Sequence, residues 1–372
     1  MAVKLGNGNW AVKEDKLLAY NDNSGLFFNK EFDFTRGSTA TYVGRDGLIA
    51  SAASGVPRID FTNDTKGHLL LEPSRTNLIP YSEDFTQWIK EATVTLTSNY
   101  GVSPDGFQNS TRVQMDINDS VYISATSGNI FSIYVKGVQD ETIRISNGGA
   151  LTHTLTGEWD RISLYDTGNS SSLISINTYS NATARDIEIW GAQLEAKSFS
   201  TSYIPNHGVS GGVTRLADVC NNSGSAQDFS EEGVLYAEFS CIANDGETRI
   251  ISLSEDGNTA NRINIFQTSG SNKIKFVVKV NSTNIFDEVV TLSNILNYNK
   301  IALSYKENEF KVYINGVKEE EQLSGSIYPA NTLDKLNFDQ GGGNYDFYGK
   351  VRELQVFTEA LTDEQLEKLT TI

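Results

Sequence analysis

Histidine is scarce in this chain: only His68, His153 and His207 occur in 372 residues, spread over three segments. A zinc centre needs clustered imidazoles or thiolates, and a histidine-activated nucleophile needs an imidazole beside it. Both chemistries are therefore disfavoured, and each histidine reads as a surface or hydrogen-bonded side chain. Cysteine is scarcer still. Cys220 and Cys241 fall far below the density of a disulfide-stapled domain and read as two buried thiols acting as small hydrophobes. Basic charge is outweighed, with 30 Lys and Arg against 47 Asp and Glu and a formal charge of −17, which disfavours a role built on embracing nucleic-acid phosphates. No stretch approaches the roughly 20 apolar residues of a membrane span, and the opening MAVKLGNGNWAVKEDKLLAY lacks the apolar centre of a secretion signal. The expectation is a chain synthesised in the cytoplasm without membrane insertion. Heptads and internal repeats are missing, so no coiled-coil stalk is encoded.

What the chain has is strand-forming material. Sixteen Tyr and 18 Phe accompany only two Met, a balance that favours sheets over helices. Segments 94–97, 121–123, 130–135, 142–145, 161–165, 173–176 and 187–190 mostly alternate apolar with polar residues, and turn signals such as Asn147-Gly148-Gly149 separate them. A second series runs through 234–239, 248–253, 262–266, 273–280, 300–305, 310–314, 335–338 and 349–357. Its strongest hairpin signal is Asn315-Gly316, which fits a type I′ turn, and Thr362 with Gln365 forms a capping box for a closing helix. The expected fold is all-β, with two tandem jelly-roll or β-sandwich domains at 76–205 and 233–372. A polar linker at 206–232 joins them, and a β-rich connector at 32–75 and an N-terminal arm at 1–31 precede them. The arm carries Trp10, Phe27 and Phe28 with too little apolar surface for a core of its own, which suggests docking onto something else.

The wording of particular segments adds a resemblance. FTRGSTATYVGRDGLI, SGVPRIDF and LLLEPSRTNLIPYSEDFTQW, within 32–88, closely resemble a segment recurring in structural proteins of tailed bacteriophages, namely head spikes, head fibres and tail fibres. The likeness continues through LTGEWDRISLY, ARDIEIWGAQLEAKSFSTSYIP and VTRLADVCNN to DFYGKVRELQVFTEALTDEQLEKL, and so covers about nine-tenths of the chain. The order of parts in the first domain also resembles carbohydrate-binding-module jelly rolls, and that of the second resembles concanavalin A-like and laminin-G-like sandwiches. The resemblance implies a virion protein on the particle exterior, a homotrimer attached through its N-terminus to capsid, neck or tail proteins. An adhesin for a bacterial surface glycan is the alternative, and a polysaccharide depolymerase a third reading.

Hydrolysis of a glycan needs two carboxylates flanking the scissile bond. Asp186 and Glu188 share one strand face with Trp190 as a sugar platform, but their order lacks the Glu-x-Asp-x-x-Glu run of the lectin-like glucanases, so the expectation is a polar outer face and no enzyme. Asp116-Ile117-Asn118-Asp119 could hold a structural calcium, although a solvated turn is favoured because the full twelve-residue loop is absent, and no cofactor is expected. Trp88 and Trp159 read as core anchors, while Trp190 and Tyr179 are candidates for stacking on sugar. The loop 340–346 combines backbone freedom at Gly341-Gly342-Gly343 with Asn344, Tyr345 and Asp346, the parts of a sugar site: a ring face for stacking, and an amide and a carboxylate for hydroxyls.

Overall fold

The computed structural model describes residues 3–6, 10–13, 16–19, 30–124, 129–166, 173–179, 183–229 and 231–372. It divides the chain into two compact units. Met1–Gly37, Ala53–Pro73 and Ala217–Ile372 make one, and Ser38–Ala52 with Ser74–Leu216 make the other.

The first unit is a sandwich of two antiparallel sheets. One sheet runs Val317–Gln322, Glu309–Ile314, Asn299–Lys306, Gly233–Cys241, Gly349–Phe357, His68–Leu71 and Ile59–Asp60 in spatial order. The strand Val3–Gly6 shares the far flank of Gly349–Phe357 with His68–Leu71, pairing with residues 353–356 while His68–Leu71 pairs with 349–351. The facing sheet has the order Thr283–Thr291, Lys273–Val280, Asn258–Gln267, Arg249–Glu255 and Lys335–Asn337. Alternation points Leu235, Ala237, Phe239, Ile301, Leu303 and Leu354 of the first sheet toward Ile251, Leu253, Ile263, Ile265, Phe276 and Val278 of the second, and all of these are buried in one core. Asn315 and Gly316 take φ of 50° and 83°, the left-handed pair the type I′ turn requires. The helix Asp363–Thr370 begins at the expected capping box on Thr362 and sets Leu366 against Val234, Tyr236, Ala302 and Tyr313 on the outer face of the larger sheet.

The second unit holds two five-stranded antiparallel sheets around its own core. In one, Ile89–Lys90, Ser120–Ser124, Leu173–Asn177, Thr142–Asn147 and Gly149–Thr154 follow in order; in the other, Thr95–Thr97, Thr111–Met115, Arg185–Ala196, Asn129–Lys136 and Asp160–Tyr165. Val113, Ile133, Val135, Ile187 and Ile189 meet Val121, Ile143, Ile145, Ile174 and Ile176 between them. Cys220 and Cys241 are free and buried in the first unit, as expected from their scarcity.

The units are all-β sandwiches, but their boundaries depart from the sequence reading. Trp10 is no free docking group: it is buried, its ring lies 6.4 Å from Phe32, and its indole N–H donates to Val351 O at 2.9 Å. Phe27 and Phe28 lie outside the described residues. The connector is divided, Phe32 entering the core of the first unit while the hairpin Ala40–Val43 and Ile49–Ala52 belongs to the second. The linker is strand at two places: Val213–Arg215 pairs with Arg75–Asn77, and Val219–Asn221 with Asp33–Thr35. Backbone groups that such a polar stretch would otherwise expose to water are satisfied by pairing over more than a hundred residues of sequence, a kind of partner that local composition does not reveal.

The chain passes between units after residues 37, 52, 73 and 216. On the side of the first unit, one buried ion cluster binds the segments beside all four passages. Asp218 accepts Arg36 Nη1 at 3.0 Å, Arg58 Nη2 at 2.5 Å and the Glu72 backbone N–H at 2.8 Å. Arg58 Nη1 reaches Glu72 Oε2 at 2.8 Å, and Arg36 Nη2 donates to Ala53 O at 2.7 Å. Burial alone would push the Arg58 guanidinium down, but Glu72 and Asp218 outweigh it and hold it above its ordinary value.

Candidate functional site

The loop after the strand Lys335–Asn337 is built around Asp339. That side chain is 2 % exposed and accepts the backbone N–H groups of Gly341 at 2.5 Å and Gly343 at 2.8 Å, with Asn221 Nδ2 at 3.1 Å. Ser252 Oγ holds the Asp339 carbonyl at 2.7 Å. The loop closes through Gln340 N–H to Asn344 O at 3.1 Å and Phe347 N–H to Phe338 O at 2.7 Å. Gly341 has φ of 90°, and a Cβ there would stand 2.4 Å from Ser254 Cβ, so only glycine fits.

Tyr345 is the outcome of that construction. It is 55 % exposed yet held at φ of 62°, a left-handed conformation that costs a bulky residue of order 1–3 kcal/mol and persists only where surroundings impose it. The constraint is visible: the Tyr345 carbonyl accepts from Ile250 N–H at 3.1 Å, continuing the sheet edge. Beside it Asn344 Nδ2 donates to Gly342 O at 3.2 Å, and Tyr348 Oη donates to Asp346 at 3.3 Å. Burial raises the Asp346 carboxyl above the ordinary range and the charge of Asp339 adds to the rise; burial raises Asp339 as well, against the opposing hydrogen bonds from Gly341 and Gly343. An exposed ring, an amide and a half-buried carboxyl thus sit on one rigid turn, as a sugar contact would need.

Other residues singled out from the sequence are placed differently. Trp190 is 1 % exposed, its ring 4.6 Å from Tyr203 and 5.5 Å from Tyr134, so its faces are covered and it is no platform. Phe85 and Trp88 pair at 5.1 Å in the core. Trp159 donates to Val102 O at 3.0 Å and lies partly open, and Tyr179 is 37 % exposed. Asp186 is gripped by Arg112 through Nε at 2.7 Å and through Nη2, which lowers its pKa, while Glu188 takes Ser110 Oγ at 2.5 Å. The two carboxyls are engaged by separate neighbours. Asp119 turns its oxygens onto Thr93 Oγ1 and the Asp116 N–H, at 2.6 and 2.7 Å. No three His, Cys, Asp or Glu side chains converge as a metal site among the described residues. His153 meets Asp160 at 3.1 Å, His207 is exposed, and His68 is buried between Asp60 and Asp64 at 3.4 and 3.7 Å.

Sequence reasoning missed Asp339 and the floor beneath the loop. Cross-strand pairing sets Lys335, Ser254, Arg262, Lys279 and Asn284 in one row across the outer face of the five-stranded sheet. The loop glycines lie beside it: a Cβ at Gly341 would meet Ser254 and one at Gly342 would stand 3.0 Å from Thr259 Cγ2, and the Thr259 carbonyl accepts Arg262 Nη1 at 2.6 Å. Lysines and arginines at alternate strand positions are ordinary in sequence; only the register brings these five together.

Residues 235–367 match the concanavalin A-like lectin/glucanases superfamily model, which places the C-terminal sandwich in that structural class. Among solved structures the chain is similar to the CBM40 of a Ruminococcus gnavus IT-sialidase, at 14% identity over 38% of this chain and 83% of that one, TM-score 0.33. It is similar also to domain 4 of an extracellular GH43 arabinanase from Geobacillus stearothermophilus, in complex with arabinotriose, at 16% identity over 47% and 84%, TM-score 0.36. The NanB sialidase of Streptococcus pneumoniae matches at 18% identity over 38% and 24%, TM-score 0.33. No curated protein matches the sequence.

Proposed function

We propose that the chain is a non-enzymatic glycan-binding protein whose concanavalin A-like unit contacts saccharide through the loop 339–348. The observation that carries this reading is Tyr345, an exposed aromatic held in a strained backbone state by Ile250 and flanked by Asn344 and Asp346. A pyranose presents an apolar C–H face to such a ring and hydroxyls to the amide and carboxyl. The engagement of Asp186 by Arg112 and of Glu188 by Ser110 supports binding without hydrolysis. The sequence resemblance to head spikes and fibres supports a place on the exterior of a tailed-phage particle, as a homotrimeric fibre or spike subunit attached to capsid, neck or tail proteins, where the glycan is that of the host surface.

The test is a glycan array with wild type and with Tyr345→Ala combined with Asp346→Ala, beside a reducing-end release assay on each bound glycan. The reading expects binding without release, reduced on the order of tenfold or more in the double variant at unchanged oligomer size. Equal binding by the variant removes the loop, and sugar release overturns the non-enzymatic assignment.

A further inference from the structure

The row beneath the loop contains an electrostatic anomaly. Arg262 and Lys279 stand directly opposite each other on neighbouring strands, a spacing of about 5 Å between Cβ atoms at which like charges repel. In a chain of formal charge −17 a carboxylate partner would be expected, yet neither forms an ion pair among the described residues. Arg262 is held by neutral acceptors, Thr259 O at 2.6 Å and, with the Asn264 amide turned so that its oxygen accepts, Asn264 at 3.0 Å. Asp287, one row along the same face, is taken by Lys275 at 2.6 Å and by Asn284 at 2.6 Å. Glu255 accepts from Asn258 and Asn261 at 2.8 and 3.0 Å. Both cations are half-buried, and Lys335 and the hydroxyl of Ser254 continue the row toward the loop glycines. Positive charge is therefore concentrated in one place beside the loop glycines, with Asp287 taken by Lys275 and Glu255 held by neutral amides, so that neither is ion-paired with Arg262 or Lys279.

We infer that Arg262 and Lys279 receive an oxyanion of the bound saccharide, so that the glycan recognised at the loop is acidic, bearing carboxylate or sulfate. This rests on the glycan-binding reading and narrows its ligand class. Guanidinium and ammonium supply fixed donors to such an anion, and the anion removes the repulsion between them. The chain's overall negative charge does not forbid it, because at physiological ionic strength charges beyond about 8 Å are largely screened. The two cations are kept for the ligand and not for the fold.

The experiment uses the full chain, wild type and Arg262→Gln/Lys279→Gln, on an array carrying neutral, carboxylated and sulfated saccharides, followed by thermal melting of both proteins. The expected result is preference for acidic saccharides, weakened as salt is raised, and lost by on the order of tenfold or more in the double variant. The carboxylated and sulfated arms distinguish the two sources of the anion. The variant should stay folded and melt close to the wild type, because relief of the like-charge repulsion offsets the loss of the Arg262 hydrogen bonds to Thr259 O and Asn264. Binding confined to neutral saccharides, or acidic binding equal in the variant, overturns this inference and leaves the glycan-binding reading standing. Absence of any glycan binding overturns both. A variant that melts well below wild type and still binds acidic saccharide assigns the cations to the fold and overturns the inference.

Discussion

Replacing Asp218 by Asn is the sharpest test of how this fold is held. The substitution keeps the shape of the side chain but removes a charge that two buried guanidiniums share, Arg36 at 3.0 Å and Arg58 at 2.5 Å, while the Glu72 N–H at 2.8 Å needs an acceptor from the same group. All four ionic side chains are at most 3 % exposed, so water cannot take over the lost role. Arg58 would keep Glu72 within the cluster, while the contact that Asp218 gives to Arg36 would lose its charge. Removing one partner from a buried ion pair costs about 3–5 kcal/mol, and for a domain of this size each kcal/mol moves the midpoint by roughly 2–4 °C. The expected fall is therefore about 6–20 °C in the transition of the first unit, read by calorimetry. A companion variant, Arg36→Met with Asp218→Asn, should lose less than the sum of the single changes, because the two side chains share one interaction. A fall of less than about 1 kcal/mol, typical of an exposed pair, would refute the argument that the cluster is dry and jointly satisfied.

Two further outcomes follow from the loop. Gly341→Ala should lower the melting temperature, with a cost of about 1–3 kcal/mol, because the new methyl meets Ser254 and the backbone is at φ of 90°; an unchanged melt would show that the glycine is dispensable. Asp346→Asn should stabilise the protein at neutral pH, measured as melting temperature from pH 3 to 8. The folded carboxyl is raised by burial and by Asp339, so its stabilising protonated form is complete below the ordinary aspartate range near 3.8 and is lost as pH rises through the raised folded value. The gap between variant and wild type should open across that window, and a gap independent of pH would contradict the assignment.

Much of the sandwich architecture was legible because it is written in local alternation. Strands Gly233–Cys241 and Glu309–Ile314, the Asn315-Gly316 turn and the Thr362 capping box all depend on neighbours a few residues away. The hairpin signal at Asn315-Gly316 called for a return strand, but VKEEEQ has no apolar face to mark its extent, and the ladder to Glu309–Ile314 defines it as Val317–Gln322. The unit boundaries escaped for a related reason, since Arg58 and Asp218, or Val3 and Val356, are joined by pairing that no window of sequence contains. At the site, Tyr345 and Asp346 were readable as side chains of suitable type. The strain on Tyr345, the organising role of Asp339 and the opposition of Arg262 to Lys279 depend on loop closure and cross-strand register, which side-chain chemistry alone does not specify.

The strand Gly349–Phe357 bears on how the molecule comes into being. It supplies the hydrogen-bonding partner for Gly233–Cys241 on one flank and for both His68–Leu71 and Val3–Gly6 on the other. During synthesis, therefore, Val3–Gly6 must wait for the distant residues 353–356 before its ladder can close, whereas the strands of Ser74–Leu216 have all their partners within that span or just before it. The second unit is free to fold first, with the first closing after it, and loop closures of this length are the slow steps of β folding. A chain interrupted before residue 349 would carry a finished second unit and a first-unit sheet with an open edge, a surface prone to pairing with other such chains.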